Sequence, residues 1–304
     1  MYVVIGANGY LGSYIIKNII EKTSDNIIAT ARTLNNVTSH ERISWYMCDV
    51  QKDNEVDELI DVLKTIKEPI KLVYLAAFHQ PDKVQENQAL AWDINVSSLS
   101  KFVNKIADIV KCAFYASTDS VYGESYNGYH FNELDELRPV NFYGHNKCAA
   151  EAIMIHRGFN VVRFPFLISP SLVYKPHFYD IIVSTLKMGN KVEMYADSYR
   201  SSLSFNNAGW ILVELMERDN VPQVLNVCGD EDLSKYDVGI MIAKKENLRS
   251  ELVIPVSVEK SEQENFKTKR ANSTLMDNKK LKSFLGLRKI DIFKYPEYTK
   301  EENI

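Results

Sequence analysis

The chain is short of the features that would assign it at a glance. Its 304 residues hold four cysteines, Cys48, Cys112, Cys148 and Cys228. They are too scattered to form a CxxC pair, which excludes a zinc ribbon and a thioredoxin-type redox motif. Three of them sit beside apolar neighbours and read as buried free thiols, suited to a reducing compartment. Basic charge is not in excess. A net charge of −4 and a pI of about 5.9 argue against a general nucleic-acid binder. No apolar run approaches the roughly 18 residues of a membrane span. No internal repeat or low-complexity segment stands out, and no His, Cys and carboxylate cluster has metal-ligand spacing, so no metal is expected. The opening residues 1–12 lack both the charged region and the cleavage site of a secretory signal. A cytoplasmic protein without a membrane partner is expected.

What is present is an alternation of short apolar runs with longer amphipathic ones. Tyr2–Ile5, Asn26–Ala31, Ile43–Met47, Lys71–Ala77, Cys112–Ala116 and Asn160–Phe164 read as strands. Between them, Gly12–Lys22, Val56–Ile66, Ala89–Val110 and Lys147–Ile155 carry helical spacing, as with Ile15, Ile16, Ile19 and Ile20 on one face. This order predicts an α/β fold of Rossmann type, a doubly wound parallel sheet covered by helices on both faces. The strands are continuous apolar runs, as burial on both faces requires. Pro165, Pro170 and Pro176 then break the pattern. The predicted division is a dinucleotide-binding domain at 1–166, rejoined by 200–228, and a smaller interleaved α/β substrate domain at 167–199 and 229–304. Helices are expected at Phe178–Met188, Ala208–Arg218 and Asp237–Lys244, with a late strand at Val224–Val227.

Four motifs carry chemistry. Gly6-Ala7-Asn8-Gly9-Tyr10-Leu11-Gly12 follows a strand and opens a helix. Gly6 allows the tight turn, Gly9 lets backbone approach a pyrophosphate, and Gly12 lets the helix pack on the strand. The helix N-terminus then offers unpaired N–H groups and its dipole to the phosphates. At the end of the second strand an NAD site usually carries an acid, but here the residues are Thr30-Ala31-Arg32. Arg32 could pair with a 2′-phosphate, favouring NADP(H) with NAD(H) left open, or it could be a solvated surface arginine. Asp49-Val50, after the third strand, could meet the adenine or cap a helix. Ser117-Thr118-Asp119-Ser120-Val121-Tyr122-Gly123 ends the fifth strand, where open α/β sheets bind ligands. Tyr143-Gly144-His145-Asn146-Lys147 puts a phenol and an ammonium on one helix face. A neighbouring ammonium should favour the phenolate and bring Tyr143 towards neutrality.

Together with Leu75-Ala76-Ala77 after the fourth strand, Asn95-Val96 in the next helix and Arg163 on the sixth strand, these motifs resemble the extended short-chain dehydrogenase/reductase family. Finer features resemble its dTDP-4-dehydrorhamnose reductase-like branch: the segments Ala76 to Glu86, Glu133 to Gly144, and Arg270 to Asp277. The resemblance implies that Tyr143 donates a proton to a sugar carbonyl, Lys147 holds the nicotinamide ribose, and Thr118 binds the same carbonyl oxygen. Asn95 and Ser117 would support the cofactor, and Phe164 and Pro165 would lie against the nicotinamide. Asp119, Phe166, Arg200 and Arg270 would meet the substrate, the arginines at its diphosphate or as surface ion pairs.

The departures are Phe166 for a tryptophan on the sugar, Ala271 for a proline, and Ser120 with Tyr122-Gly123 in the fifth-strand segment. Related dehydratases carry Asp-Glu after the threonine. Serine at 120 therefore implies no dehydration. His79 could touch substrate or be a plain loop residue. The expectation is an NADPH-dependent reductase of a nucleotide-linked 4-keto sugar, for surface polysaccharide, acting as a homodimer. The alternatives are a nucleotide-sugar epimerase with bound NAD(P), or a non-catalytic NADP-binding subunit such as the branch's methionine adenosyltransferase regulatory subunit.

Overall fold

Tyr2–Ile5 is apolar at every position and is completely buried, so it can only be an interior strand, β1. In a computed structural model of the chain, which describes residues 1–258 and 267–299, it is an interior strand of a seven-stranded parallel sheet. The elements run β1, α1 (Tyr10–Lys22), β2 (Ile27–Ala31), β3 (Ile43–Met47), α2 (Asp53–Lys64), β4 (Lys71–Tyr74), α3 (Pro81–Glu86), α4 (Gln88–Trp92), α5 (Ser98–Ile106) and β5 (Cys112–Thr118). There follow β6 (His130–Phe131), α6 (Phe142–His156), β7 (Asn160–Phe164), α7 (Phe178–Lys187), β8 (Val192–Tyr195), β9 (Tyr199–Arg200), α8 (Phe205–Met216) and β10 (Val224–Asn226). The chain continues through β11 (Leu233–Ser234), α9 (Lys235–Lys245), β12 (Val253–Val256), β13 (Leu275–Met276) and α10 (Lys279–Leu285), then β14 (Leu287–Lys289) and β15 (Glu297–Tyr298).

The sheet order is β10-β7-β5-β4-β1-β2-β3. Strand order reverses between β1 and β4, where Val4 pairs with Val73 and with Ala29 on the other side. Ligands bind beyond the carboxyl ends of strands at such a point. One apolar layer joins Ile15, Ile16 and Ile19 of α1 to Ile211, Leu212 and Leu215 of α8 across one face. The opposite layer joins Leu59 and Leu63 of α2, Phe102 of α5 and Met154 of α6. A third cluster, away from the sheet, packs Tyr179 and Ile182 of α7 against Val238 and Ile242 of α9 and Met194 of β8. There β8 and β12 pair in parallel, Val192 opposite Val253.

Most helices begin earlier than expected, α1 at Tyr10, α2 at Asp53 and α8 at Phe205, and three further departures have a visible structure. The run 89–110 is not one helix. It begins at Gln88, passes through a π-helical turn at Asp93–Ser97 and ends at Ile106. α6 begins at Phe142 rather than Lys147, because the Asn141 side chain accepts a hydrogen bond from Gly144 N–H at 3.0 Å and so caps the helix ahead of any apolar periodicity. α9 begins at Lys235, two residues early, because Ser234 and Asp237 form a reciprocal capping box. The parts of the expected substrate domain at 259–266 and 300–304 lie outside the described residues.

Candidate active site

Gly6 ends β1 with φ +80°, a conformation that a side chain resists. Its N–H is held by Thr30 Oγ1 at 3.0 Å, which ties the turn to β2. A Cβ on Gly12 would lie 2.5 Å from the Ala7 carbonyl oxygen, so α1 can pack this closely only on glycine. Gly9 caps α1 without a side-chain acceptor. The N–H groups of the first turn therefore remain for an anion, and this glycine cradle fits the pyrophosphate of a dinucleotide.

The cradle forms one wall of a cleft of about 510 Å³. Gly6, Gly9, Tyr10, Leu11 and Gly12 line it, with Leu75 and Ala77 from the segment after β4. Ser117, Thr118 and Asp119 enter from the end of β5, Tyr143 and Lys147 from α6, and Phe164, Pro165 and Phe166 from the end of β7. Arg200 and Arg270 close the far side. Other expected cofactor residues lie apart from this wall. Asn8 and Arg32 are exposed. Asp49 is engaged locally, its carboxylate accepting the Gln51 N–H at 3.2 Å and its own N–H donating to Glu55 at 2.7 Å. Val50 is buried with α2, and Ala76 is half-buried beside Gly6. Asn95 sits in the π-helical turn and brackets the Phe78 backbone, accepting its N–H at 2.7 Å and donating to its carbonyl at 3.0 Å. It thereby fixes the loop that follows β4.

Lys147 is buried, and its Nζ donates to the Ala116 carbonyl at 2.7 Å and to Tyr115 Oη at 2.9 Å. The same Nζ lies 6.0 Å from the centre of the Tyr143 ring. Burial lowers Lys147 to about 7, against the pull of Glu151 one turn on. Tyr143 corrects the expectation of a near-neutral phenol. Burial, aided by the charge of Asp119, holds its hydroxyl above the usual tyrosine range, because the ammonium points at Ala116 and Tyr115 and makes no hydrogen bond to it. Thr118 Oγ1 donates to Asp119 at 3.0 Å. Burial also pushes the Asp119 carboxyl up, and the Arg200 Nε, 3.4 Å away, works against that.

Arg200 is heavily committed. Its terminal nitrogens donate to the carbonyls of Tyr199 at 2.8 Å, Asn272 at 2.7 Å and Ala271 at 2.8 Å. Arg270 pairs with Asp82 at 2.7 Å. Behind the site, Ser117 donates to buried Glu151, and Arg163 grips the same carboxylate at 2.6 Å while donating to Tyr122 Oη at 2.7 Å.

The sequence reading missed several side chains of the cleft wall, His177, Tyr195 and Lys235 among them. His177 packs against Tyr10 and Phe205 with ring centres 4.6 and 5.0 Å away. It lies in the proline-broken stretch, where periodicity gives no guide. Tyr195 ends β8, and Lys235 opens α9. The Ser234-to-Asp237 spacing was a legible helix start that would have put Lys235 at its first position.

Sheet order, glycine turn and the Tyr143–Lys147 pair beside Thr118 are those of the extended short-chain dehydrogenase/reductase class. Within that class the chain belongs to the family described as RmlD substrate binding domain, which it matches over residues 1–294. Methionine adenosyltransferase 2 subunit beta of Bos taurus is 24% identical over 197 residues, which is 62% of this chain and 58% of that protein. A putative UDP-glucose 4-epimerase of Methanocaldococcus jannaschii is 29% identical over 154 residues, 50% of this chain and 48% of that one. The chain thus spans about half to three fifths of these curated relatives. Among solved structures, dTDP-4-dehydrorhamnose reductase from Bacillus anthracis in complex with NADP superposes with a TM-score of 0.79 at 19% identity, covering 95% of this chain and 94% of that one. UDP-glucose 4-epimerase from Thermus thermophilus in complex with NAD gives 0.76 at 17% identity, covering 93% of each. At such identities the likeness is one of fold.

Proposed function

We propose that the protein reduces the 4-keto group of a nucleotide-linked deoxy sugar with NADPH. The observation that carries this reading is the meeting of Thr118, Tyr143 and Lys147 in one cleft with the glycine cradle. The cradle of Gly6 to Gly12 would hold the pyrophosphate, Phe164 and Pro165 the nicotinamide, and Lys147 its ribose. Arg32, exposed at the end of β2, would take the 2′-phosphate. When bound, the cofactor supplies hydride to the carbonyl carbon. Tyr143 supplies the proton to the carbonyl oxygen, and the raised pKa keeps that proton in place at neutral pH until it is needed. Thr118 orients the same oxygen, and the Lys147 ammonium stabilises the phenolate left behind. Residues 1–166 with 200–228 would form the cofactor unit, and 167–199 with 229–304 the sugar-nucleotide unit. A cytoplasmic homodimer serving surface polysaccharide synthesis fits this chemistry.

The likeness to methionine adenosyltransferase 2 subunit beta of Bos taurus favours one second reading, a non-catalytic NADP-binding subunit. One experiment separates the two. A panel of nucleotide-linked 4-keto sugars is followed with NADPH at the nicotinamide absorbance. Stoichiometric consumption with one member supports the reductase. Turnover of sugar without net absorbance change makes it an epimerase, and silence across the panel moves the binding-subunit reading ahead.

A further inference from the structure

Three cations face the far side of the cleft, and two of them are already occupied. Arg200 spends its donors on three backbone carbonyls and Asp119, and Arg270 is paired with Asp82. Lys235 differs. Among the described residues its ammonium meets no carboxylate and no carbonyl. Its neighbours are two aromatic faces, Tyr195 at 5.3 Å and Phe166 at 5.7 Å from the ring centres.

The position is costly for a cation. Lys235 is the first residue of α9, against the positive end of the helix dipole, and the charges of Arg200 and Arg270 oppose its own. Partial burial is the main cause that brings the group down to about 8, and the charges of Arg200 and Arg270 add to it. Aromatic faces offset part of that cost but leave the N–H donors unused. A half-buried ammonium that lines a cleft beside two arginines, with no protein acceptor among the described residues, is suited to an anion that gives it charge-assisted hydrogen bonds.

We propose that Lys235 is the principal ligand for the diphosphate of the nucleotide-linked substrate, with Arg200 and Arg270 shaping the pocket around it. This rests on the nucleotide-sugar reading and gives its anion a residue. A planar base beside Tyr195 and two phosphate groups beside Lys235 are compatible with one ligand, a nucleoside diphosphate. Binding would draw the lysine fully into its protonated state, since an anion favours the charged form.

The test is calorimetry on NADP⁺-saturated protein titrated with UDP, dTDP and GDP. Lys235→Met keeps the length and apolar contacts of the stem and removes the charge. It should weaken the tightest-binding diphosphate at least tenfold, as loss of a charge-assisted hydrogen bond does. Lys235→Arg should stay within threefold of the parent, and NADP⁺ affinity should be unchanged in both, which reports an intact fold. If Lys235→Met disturbs NADP⁺ binding, Lys235→Gln takes its place. A methionine or glutamine variant that binds diphosphate within twofold of the parent overturns the proposal and leaves the nucleotide-sugar reading standing. A parent that binds none of the three overturns both.

Discussion

Tyr143 and Lys147 are four residues apart on α6, yet the structure gives them separate partners and separate titration behaviour. The tyrosine keeps its proton because its surroundings exclude water. Removing only the hydroxyl should therefore remove the acid and little else. Tyr143→Phe is expected to lower turnover by about 10²–10⁴-fold, the usual yield of general acid catalysis, with NADPH affinity nearly intact. Turnover within a few-fold of the parent, with chemistry rate-limiting, would take Tyr143 out of the mechanism. Lys147 leads to a stability statement. Its folded pKa, about 7, lies below the ordinary lysine value of about 10.4. Above pH 7 the unfolded chain binds a proton that the folded chain has released, so stability rises with pH. Lys235, at about 8, acts in the same direction. The four thiols, all raised by burial, oppose the trend only once the unfolded thiols ionise, near pH 8.5. Urea midpoints of the ligand-free protein should climb between about pH 7 and 8.5. Lys147→Met should start higher at pH 7 and climb less; an equal climb in both would show that the lysine is not the titrating group. Most of these residues were legible from sequence, since Gly, YxxxK and the strand-five hydroxyls have fixed spacings. Their charge states were not, because burial is set by residues far away in the chain.

The elements carry the site through one buried network. α6 presents Tyr143 and Lys147 to the cleft and, one turn on, turns Glu151 towards β7 and β5. There Glu151 meets Arg163 and Ser117, and Arg163 reaches Tyr122, whose hydroxyl donates to Asn226 on β10 at 2.7 Å. Both charges are out of solvent, with side-chain exposures of 4% for Arg163 and 1% for Glu151, so neither can fall back on water if the other is removed. Glu151→Ala should destabilise the fold by about 3–5 kcal/mol. Glu136→Ala removes a pair with Arg138 whose side chains are 71% and 75% exposed, and should cost about 0–1 kcal/mol. Urea unfolding of both variants checks the contrast, and equal small losses would mean that the buried pair is not what ties α6 to the sheet. Periodicity located α6 and β7, and the family resemblance named Arg163 but not its partner. Glu151 sits within the expected helix and looks like any solvated acid. The π-helical turn at Asp93–Ser97 escaped for a related reason: it holds Asn95, whose grip on Phe78 is a contact between segments that no local pattern records.

At the scale of the whole molecule, the cleft is walled by segments that come from different packed layers. The glycine cradle belongs to the layer of α1 and α8, while Tyr195 and Lys235 stand on β8 and α9, whose apolar residues pack in the separate cluster with α7. The sheet order could be anticipated, since apolar strands alternating with helices leave few topologies. The two-residue ladders β6–β13 and β9–β11 could not, because each joins stretches too short to show a period and far apart in sequence. A ligand that spans the cleft holds these walls together and binds only the folded chain, so it must raise the unfolding temperature by mass action. At a hundred times its dissociation constant the gain is about 2.7 kcal/mol, and at about 2.1 cal/mol/K of unfolding entropy per residue that shifts a chain of 304 residues by roughly 4 °C. Cofactor preference can be read from the same shift. If Arg32 takes the 2′-phosphate, NADPH should raise the midpoint more than equimolar NADH. Arg32→Ala should bring the two curves together by lowering the NADPH shift alone, since the exposed guanidinium has no contact that the folded chain needs in its ligand-free state. The affinity difference should match a hydrogen bond to a charged group, about 1.5–3 kcal/mol. Equal shifts from NADPH and NADH in the parent would remove Arg32 from the site, and a variant that keeps the parent's gap would assign the preference to another residue.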